Sequence, residues 1–155
     1  MNEELIGQAL IELADIANCV SGDFHCLHFN VQGTEFDMLH KKVLKKYYEE
    51  AANDYDEFAE KARMFGVLFP NPNEAASRIE FQSVQPTEPW DKKWVVMHSK
   101  KLMDALQEQY LKVYQILNKI DDCTRSIGVA NFLQTRLEYW SKECYYFNQS
   151  RGGEG

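Results

Sequence analysis

Apolar residues recur in steps of three and four along four separate stretches of this chain. The first runs through Leu5/Ile6, Ala9/Leu10, Leu13, Ile16/Ala17, Val20, Phe24, Leu27 and Val31. That spacing places them on one stripe of a long amphipathic helix. Asn2 followed by Glu3 and Glu4 suits its start, since acids complement the positive end of the helix dipole. Gly33 stops it. Gly22 lies inside and either weakens the helix, by about 1 kcal/mol relative to Ala, or marks close packing. The second stretch carries Phe36, Leu39, Val43, Tyr47, Ala51, Tyr55, Phe58, Ala62 and Phe65. It is entered through Thr34-Glu35-Phe36-Asp37, a variant capping box, and ends at Gly66.

Residues 67–89 lose the period. They hold all four prolines, Pro70, Pro72, Pro86 and Pro89, and read as a long crossover with a short helix at Glu74–Ile79. A third helix begins at Thr87 or Pro89 and carries Trp94, Val95, His98, Leu102, Ala105/Leu106, Val113, Ile116/Leu117 and Ile120. Asp121, Asp122 and Thr124–Gly128 read as a short turn. The fourth helix follows with Val129, Phe132/Leu133, Leu137, Trp140, Cys144 and Phe147, and Ser150–Gly155 as a frayed tail. A long second-to-third connection is expected when those two helices run in the same sense. The fold class is therefore all-α, a ferritin-like four-helix bundle with a long crossover between helices two and three. One domain is expected over residues 1–155, with no internal repeat.

Composition changes this picture little. A hydrophobic fraction of 45% and a charged fraction of 26% are ordinary for a globular chain. No apolar run reaches about 18 residues and no basic-then-apolar leader opens the chain, so neither a membrane span nor a signal peptide is expected and a cytoplasmic location follows. Cys19, Cys26, Cys123 and Cys144 form no C-x-x-C pair and read as free, partly buried thiols. Charge is uneven. Residues 1–40 contain no Lys or Arg but seven acids: Glu3, Glu4, Glu12, Asp15, Asp23, Glu35 and Asp37. DNA binding through an N-terminal arm needs cations there to release phosphate counterions, so it is not expected.

The candidate chemistry lies between His28 and Glu60. His28 and His40 flank the Gly33 turn, and Asp56 and Glu60 stand four apart on one face of the second helix. Imidazole and carboxylate oxygen suit Fe(II), and the lack of a thiolate pair argues against structural zinc. An iron site at the bundle centre would need Glu-x-x-His on two helices. None of His25, His28, His40 or His98 follows a Glu by three, and the fourth helix has no His.

These residues carry a resemblance. His28-Phe-Asn-Val-Gln-Gly-x-x-Phe36-x-x-Leu39-His40 resembles the His-Trp-Asn-Val-x-Gly-x-x-Phe-x-x-Leu-His signature of the Dps family of mini-ferritins. Asp56-Glu57-Phe58-Ala59-Glu60-Lys61 is similar to its Asp-x-x-Ala-Glu-Arg, and Gly128-Val-Ala-Asn-Phe-Leu resembles the start of its fourth helix. The resemblance implies a ferroxidase centre between two subunits, with His28 and His40 from one and Asp56 and Glu60 from the other. It implies a hollow homododecamer that oxidises Fe(II) with hydrogen peroxide or oxygen and stores ferric iron inside.

The chain departs from that pattern in three ways. Phe29 replaces the indole beside the first His. The basic N-terminal arm of DNA-binding members is missing. The interval from His40 to Asp56 is one residue longer, which would turn the helix face by roughly 100° and put Tyr55 and Ala59 where the acids belong. A π-bulge between about Tyr47 and Asn53 is expected to absorb it. His25 reads as a neighbour of the site and His98 as a hydrogen-bonded core histidine. The aromatic cluster of Tyr139, Trp140, Tyr145, Tyr146 and Phe147 reads as core and subunit contact, as do Trp90 and Trp94. Two functions follow: an iron-oxidising storage shell, or a ferritin-like structural or interaction protein without efficient oxidation.

Overall fold

The computed structural model describes residues 2–119 and 124–150. Four long helices and one short helix account for most of the chain: α1 (Asn2–Asn30), α2 (Lys45–Met64), α3 (Ala75–Ile79), α4 (Lys92–Leu117) and α5 (Thr124–Ser150). A π-helix, Met38–Leu44, runs directly into α2, and a 3-10 turn, Pro72–Glu74, leads into α3. Of the expected features, Ile120, Asp121, Asp122, Cys123 and the tail beyond Ser150 lie outside the described residues.

The crossover returns the chain to the end of the bundle where α2 began. The Trp90 N–H donates to the Asn30 carbonyl at 2.9 Å and the Gln32 N–H to the Trp90 carbonyl at 2.8 Å. This isolated parallel bridge pins the end of α1 beside the start of α4. Helices α2 and α4 therefore run in the same sense, as the long connection requires. Lys92 reinforces the junction by pairing with Glu35 at 3.3 Å. The core follows the apolar stripes read from the sequence, except that Leu5 and Phe36 are exposed. Leu10, Leu13, Phe24, Leu27, Leu39, Phe58, Leu106 and Trp140 are fully buried.

The acidic first quarter is answered by cations from later in the chain. Asp15, 1% exposed, accepts Arg78 Nε and Nη2 at 2.9 and 2.7 Å. That bidentate pair staples α3 to α1. Asp23 accepts the Val84 N–H at 3.3 Å and stands 3.7 Å from His98 Nε2.

A third buried carboxylate holds α2, α4 and α5 together. Asp54 is 1% exposed. Its Oδ2 accepts Tyr110 Oη at 2.8 Å and Trp140 Nε1 at 2.9 Å. Its Oδ1 pairs with Arg136, which also donates to Glu50 at 2.8 Å. Burial pushes the Asp54 carboxyl up from its ordinary range, and the Arg136 guanidinium opposes that shift.

Element ends differ from the sequence reading in local ways. Helix α4 starts at Lys92, not at Thr87 or Pro89, because the Asp91 carboxylate caps the Trp94 N–H at 3.0 Å. Residues Thr124–Gly128 are the first turns of α5 and not a loop. Helix α1 closes at Asn30, since Val31 has left it for the bridge to Trp90. The short crossover helix lies where expected, as Pro72–Glu74 plus α3. Tyr145 and Tyr146 are exposed and not core. Cys19, Cys26 and Cys144 are free, and burial pushes the Cys19 thiol up to about 11.

Helix α2 ends in a Schellman turn. The Gly66 N–H donates to Arg63 at 3.0 Å and the Val67 N–H to Ala62 at 3.4 Å, with Gly66 at φ +80°. The turn drives Val67 onto α1 at Gly7, where an added Cβ would overlap Val67 Cγ2. Gly22 has open space instead. Gly7→Ala is expected to cost about 1–3 kcal/mol through overpacking. Gly22→Ala should stabilise by roughly 0.5–1 kcal/mol through better helix propensity. Parallel denaturant melts check both, and equal effects would refute the packing difference. Arg136→Met should destabilise by roughly 3–5 kcal/mol, because it leaves Asp54 buried without its counter-charge. The same melts would refute this if the variant matched the parent.

Candidate metal centre

The two histidines meet where α1 ends and the π-helix begins. The last carbonyls of a helix have no intrahelical partner. His28 is in the last turn of α1, and its carbonyl takes His40 Nδ1 at 2.6 Å. His40 lies in the wide turn of the π-helix, and its carbonyl takes His28 Nδ1 at 2.6 Å. The imidazoles stack with centroids 3.8 Å apart and planes 11° from parallel. A carbonyl only accepts, so each Nδ1 carries the proton and each neutral ring keeps its lone pair on Nε2. Backbone support of this kind fixes tautomer and orientation for metal ligation.

Burial lowers the His28 pKa. The backbone bond to His40 works against the shift, and the charges of His40, His25 and Lys45 add to it. Phe36 stacks on His40 at 4.9 Å, and Tyr48 lies edge-on to His28 at 5.2 Å. His25 flanks the pair, its ring centroid 6.0 Å from that of His28. It is exposed and stacks on Tyr48 at 4.1 Å and Phe29 at 4.7 Å. Phe29 is 66% exposed.

A groove of about 270 Å³ opens on the pair, lined by His28, His40, Lys41, Lys45 and Tyr48. No carboxylate lines it. Asp56 and Glu60 sit further along α2, exposed on its outer face. Among the described residues no group of three or more His, Cys, Asp or Glu side chains could hold a metal ion. One chain thus brings together the imidazole half of the expected set and presents the acidic half elsewhere. Two imidazoles suit iron, but a non-haem Fe(II) site takes at least one carboxylate as well. The set fits iron only if acids arrive from outside the chain.

A π-helix is present, but earlier than expected: at Met38–Leu44, not between Tyr47 and Asn53. The inward residues around it are Leu39, Leu44, Tyr47, Ala51 and Asp54. The step of five from Leu39 to Leu44 was the available signal. Val43 fits an α-helical period equally well but is only half-buried. Downstream, Tyr55 and Ala59 are half-buried while Asp56 and Glu60 stay outward. Lys41, Lys45 and Tyr48 were not anticipated as lining residues. His98 is half-buried and stacked on Trp94 at 5.0 Å, but its Nε2 makes no hydrogen bond. It is therefore not the hydrogen-bonded core histidine expected.

No protein-family model and no curated protein matches this sequence. Solved structures do match. Dps from Listeria monocytogenes has a TM-score of 0.81 at 18% identity, over 95% of this chain and 93% of its own. Dps92 from Deinococcus radiodurans has a TM-score of 0.82 at 18% identity, over 96% and 87%. The Dps protein of Vibrio cholerae O1, described as a member of a broad superfamily of ferritin-like diiron-carboxylate proteins, has a TM-score of 0.79 at 17% identity, over 95% and 89%. The chain has the Dps-type mini-ferritin fold. At these identities the likeness is one of fold. A Dps-type bundle accounts for the helix order and the long crossover. No described helix is long and apolar enough to cross a membrane.

Because burial favours neutral His28, its contribution to stability is present above the ordinary imidazole pKa and is lost as pH falls through the lowered folded value. In the metal-free protein, the His28 ring should titrate below about pH 6.5 by NMR. A midpoint at or above that value would refute the lowered pKa.

Proposed function

We propose that the chain is a Dps-family mini-ferritin that binds Fe(II) between two copies of itself and oxidises it. His28 and His40 of one copy supply nitrogen ligands. Asp56 and Glu60 of a neighbour supply the carboxylates, with Glu60 placed to bridge two irons. Hydrogen peroxide or oxygen is the oxidant. The ferric product is stored inside a hollow shell of twelve chains, so iron and peroxide are removed together and the cell, in its cytoplasm, is protected from the radicals they generate.

The observation that carries this reading is the mutual locking of the two imidazoles, which presents two fixed Nε2 lone pairs at one groove. Charge supports the partner. Lys41 and Lys45 make the groove basic, and the exposed Asp56–Glu60 face is complementary to it. Residues 1–40 carry seven acids and no Lys or Arg, so this stretch supplies no cations for DNA phosphates. One observation favours the runner-up, a shell without efficient oxidation: an exposed Phe29 stands where the family signature has an indole.

Size-exclusion chromatography with light scattering, followed by anaerobic Fe(II) addition and peroxide, tests both parts. The expected result is a particle many times the 18.1 kDa chain mass and a fast rise in ferric absorbance. His28→Ala, and separately Glu60→Ala, should slow that rise roughly 10- to 100-fold. An assembled particle with no fast rise leaves the structural reading. A monomer overturns both.

A further inference from the structure

A cavity of about 650 Å³ opens between the first half of α1, the crossover after α3 and the second half of α4. It shares no residue with the histidine groove. Spaces of this size hold small organic molecules. The floor is apolar, made of the buried Ile11 and the half-buried Ile16, Ile79 and Phe81. Asp15 and Arg78 also line it, but their charges are spent on each other through two bonds. Arg78 Nη1 is held as well, donating to the Asn71 carbonyl at 2.8 Å. That neutral pair fixes the floor in place and asks nothing of a ligand.

Charges at the mouth are not balanced in the same way. Glu12 of α1, Glu80 of the crossover and Lys112 of α4 are exposed there. Glu12 accepts Gln109 Nε2 at a long 3.5 Å, and among the described residues none of the three charges enters an ion pair. Two carboxylates against one ammonium leave the mouth negative, and the first forty residues bring no Lys or Arg to correct it. Glu80 also caps the C-terminus of α3 in the left-handed region, at φ 54° and ψ 42°. Gly makes that turn most easily. A glutamate there adds a carboxylate to the wall facing away from α1's own.

We propose that this cavity binds an aliphatic polyamine. Its ammonium groups pair with Glu12 and Glu80, and the methylene chain between them covers Ile11, Ile16, Ile79 and Phe81. Acids on two separate walls with an apolar floor between them match a molecule charged at both ends and apolar in the middle. An inorganic dication answers the charges but covers none of the floor. A neutral apolar molecule covers the floor but leaves both carboxylates unanswered, and an anion meets two like charges. Lys112 opposes the ligand. Exposed ion pairs contribute little, whereas each methylene removed from water contributes more. The chain therefore supplies most of the affinity and the acids select the sign of charge. No iron takes part, so the inference stands apart from the ferroxidase reading.

Isothermal titration calorimetry of the full-length, metal-free protein with a four-carbon and an eight-carbon linear diamine tests this at neutral pH. Both probes are dications and differ only in apolar length. Saturable binding is expected, tighter for the longer diamine by roughly tenfold or more. Magnesium chloride at matched ionic strength should neither bind saturably nor displace it. Glu12→Gln and Glu80→Gly should each weaken binding by roughly two- to fivefold, and Lys112→Gln should tighten it by a similar factor. Glu80→Gly relaxes the left-handed turn, so its melting temperature should equal or exceed the parent's, which separates lost binding from lost folding. Lys101→Gln, an exposed cation of α4 outside the cavity, should leave the affinity unchanged. Absence of saturable binding, equal affinity for the two diamines, or displacement by magnesium overturns the proposal. So does equal tightening in Lys101→Gln, which would mean diffuse attraction to the surface. Weaker binding in Lys112→Gln would also sink it, by placing an anionic group of the ligand on that lysine.

Discussion

The wide turn at Met38–Leu44 is the constraint on which the rest depends. It brings the His40 ring back over the open end of α1, where each histidine donates to the carbonyl of the other. It also sets the rotation of everything after it. Past the turn, Tyr47, Ala51, Asp54, Phe58 and Ala62 face the core. An unbroken α-helix through the same residues would rotate that set by about one residue, or roughly 100°. Asp54 would then leave the bundle centre and Tyr110 and Trp140 would lose their common acceptor. One local widening thus fixes the imidazole pair, the outward acids and the inner polar cluster.

Two electrostatic solutions coexist in the bundle. At the centre, where a carboxylate is out of reach of water, it is neutralised within the chain: Arg136 serves Asp54 as Arg78 serves Asp15. At the histidine end the pairing is looser, with Lys41 4.0 Å from the exposed Asp37. The groove is basic and holds nitrogen donors without a carboxylate, while acids without an inward partner stand on the outer face of α2. A buried charge must be paired within the fold, whereas an exposed one can wait for an ion or a second molecule. The division between scaffold and site follows from that difference in solvation.

Much of this was legible from residues. The stripe from Leu5 to Leu27 and the prolines of the crossover specified helix order and the same-sense pair, because apolar period and chain stiffness are local properties. His28 and His40 were legible as a pair, since a Gly turn between two helices brings their flanking residues together. The exact place of the π-helix was not, although the step from Leu39 to Leu44 carried it. Val43 fits an α-period equally well, and only packing against α1 chooses Leu44. The start of α4 turned on one side chain, the Asp91 carboxylate that reaches the Trp94 N–H. The apolar period alone carries no such information.

The sequence by itself determined the all-α class, the number and order of the long helices, and the residue types that suit iron. Each of these depends on spacing and chemistry along a single strand of polymer. Tertiary structure alone decided which nitrogen of each imidazole is free, that Lys41 and Lys45 share the groove while Asp56 and Glu60 do not, and that Asp54, Tyr110, Arg136 and Trp140 converge. Those outcomes depend on distances between residues remote in sequence, and only the packed core determines such distances.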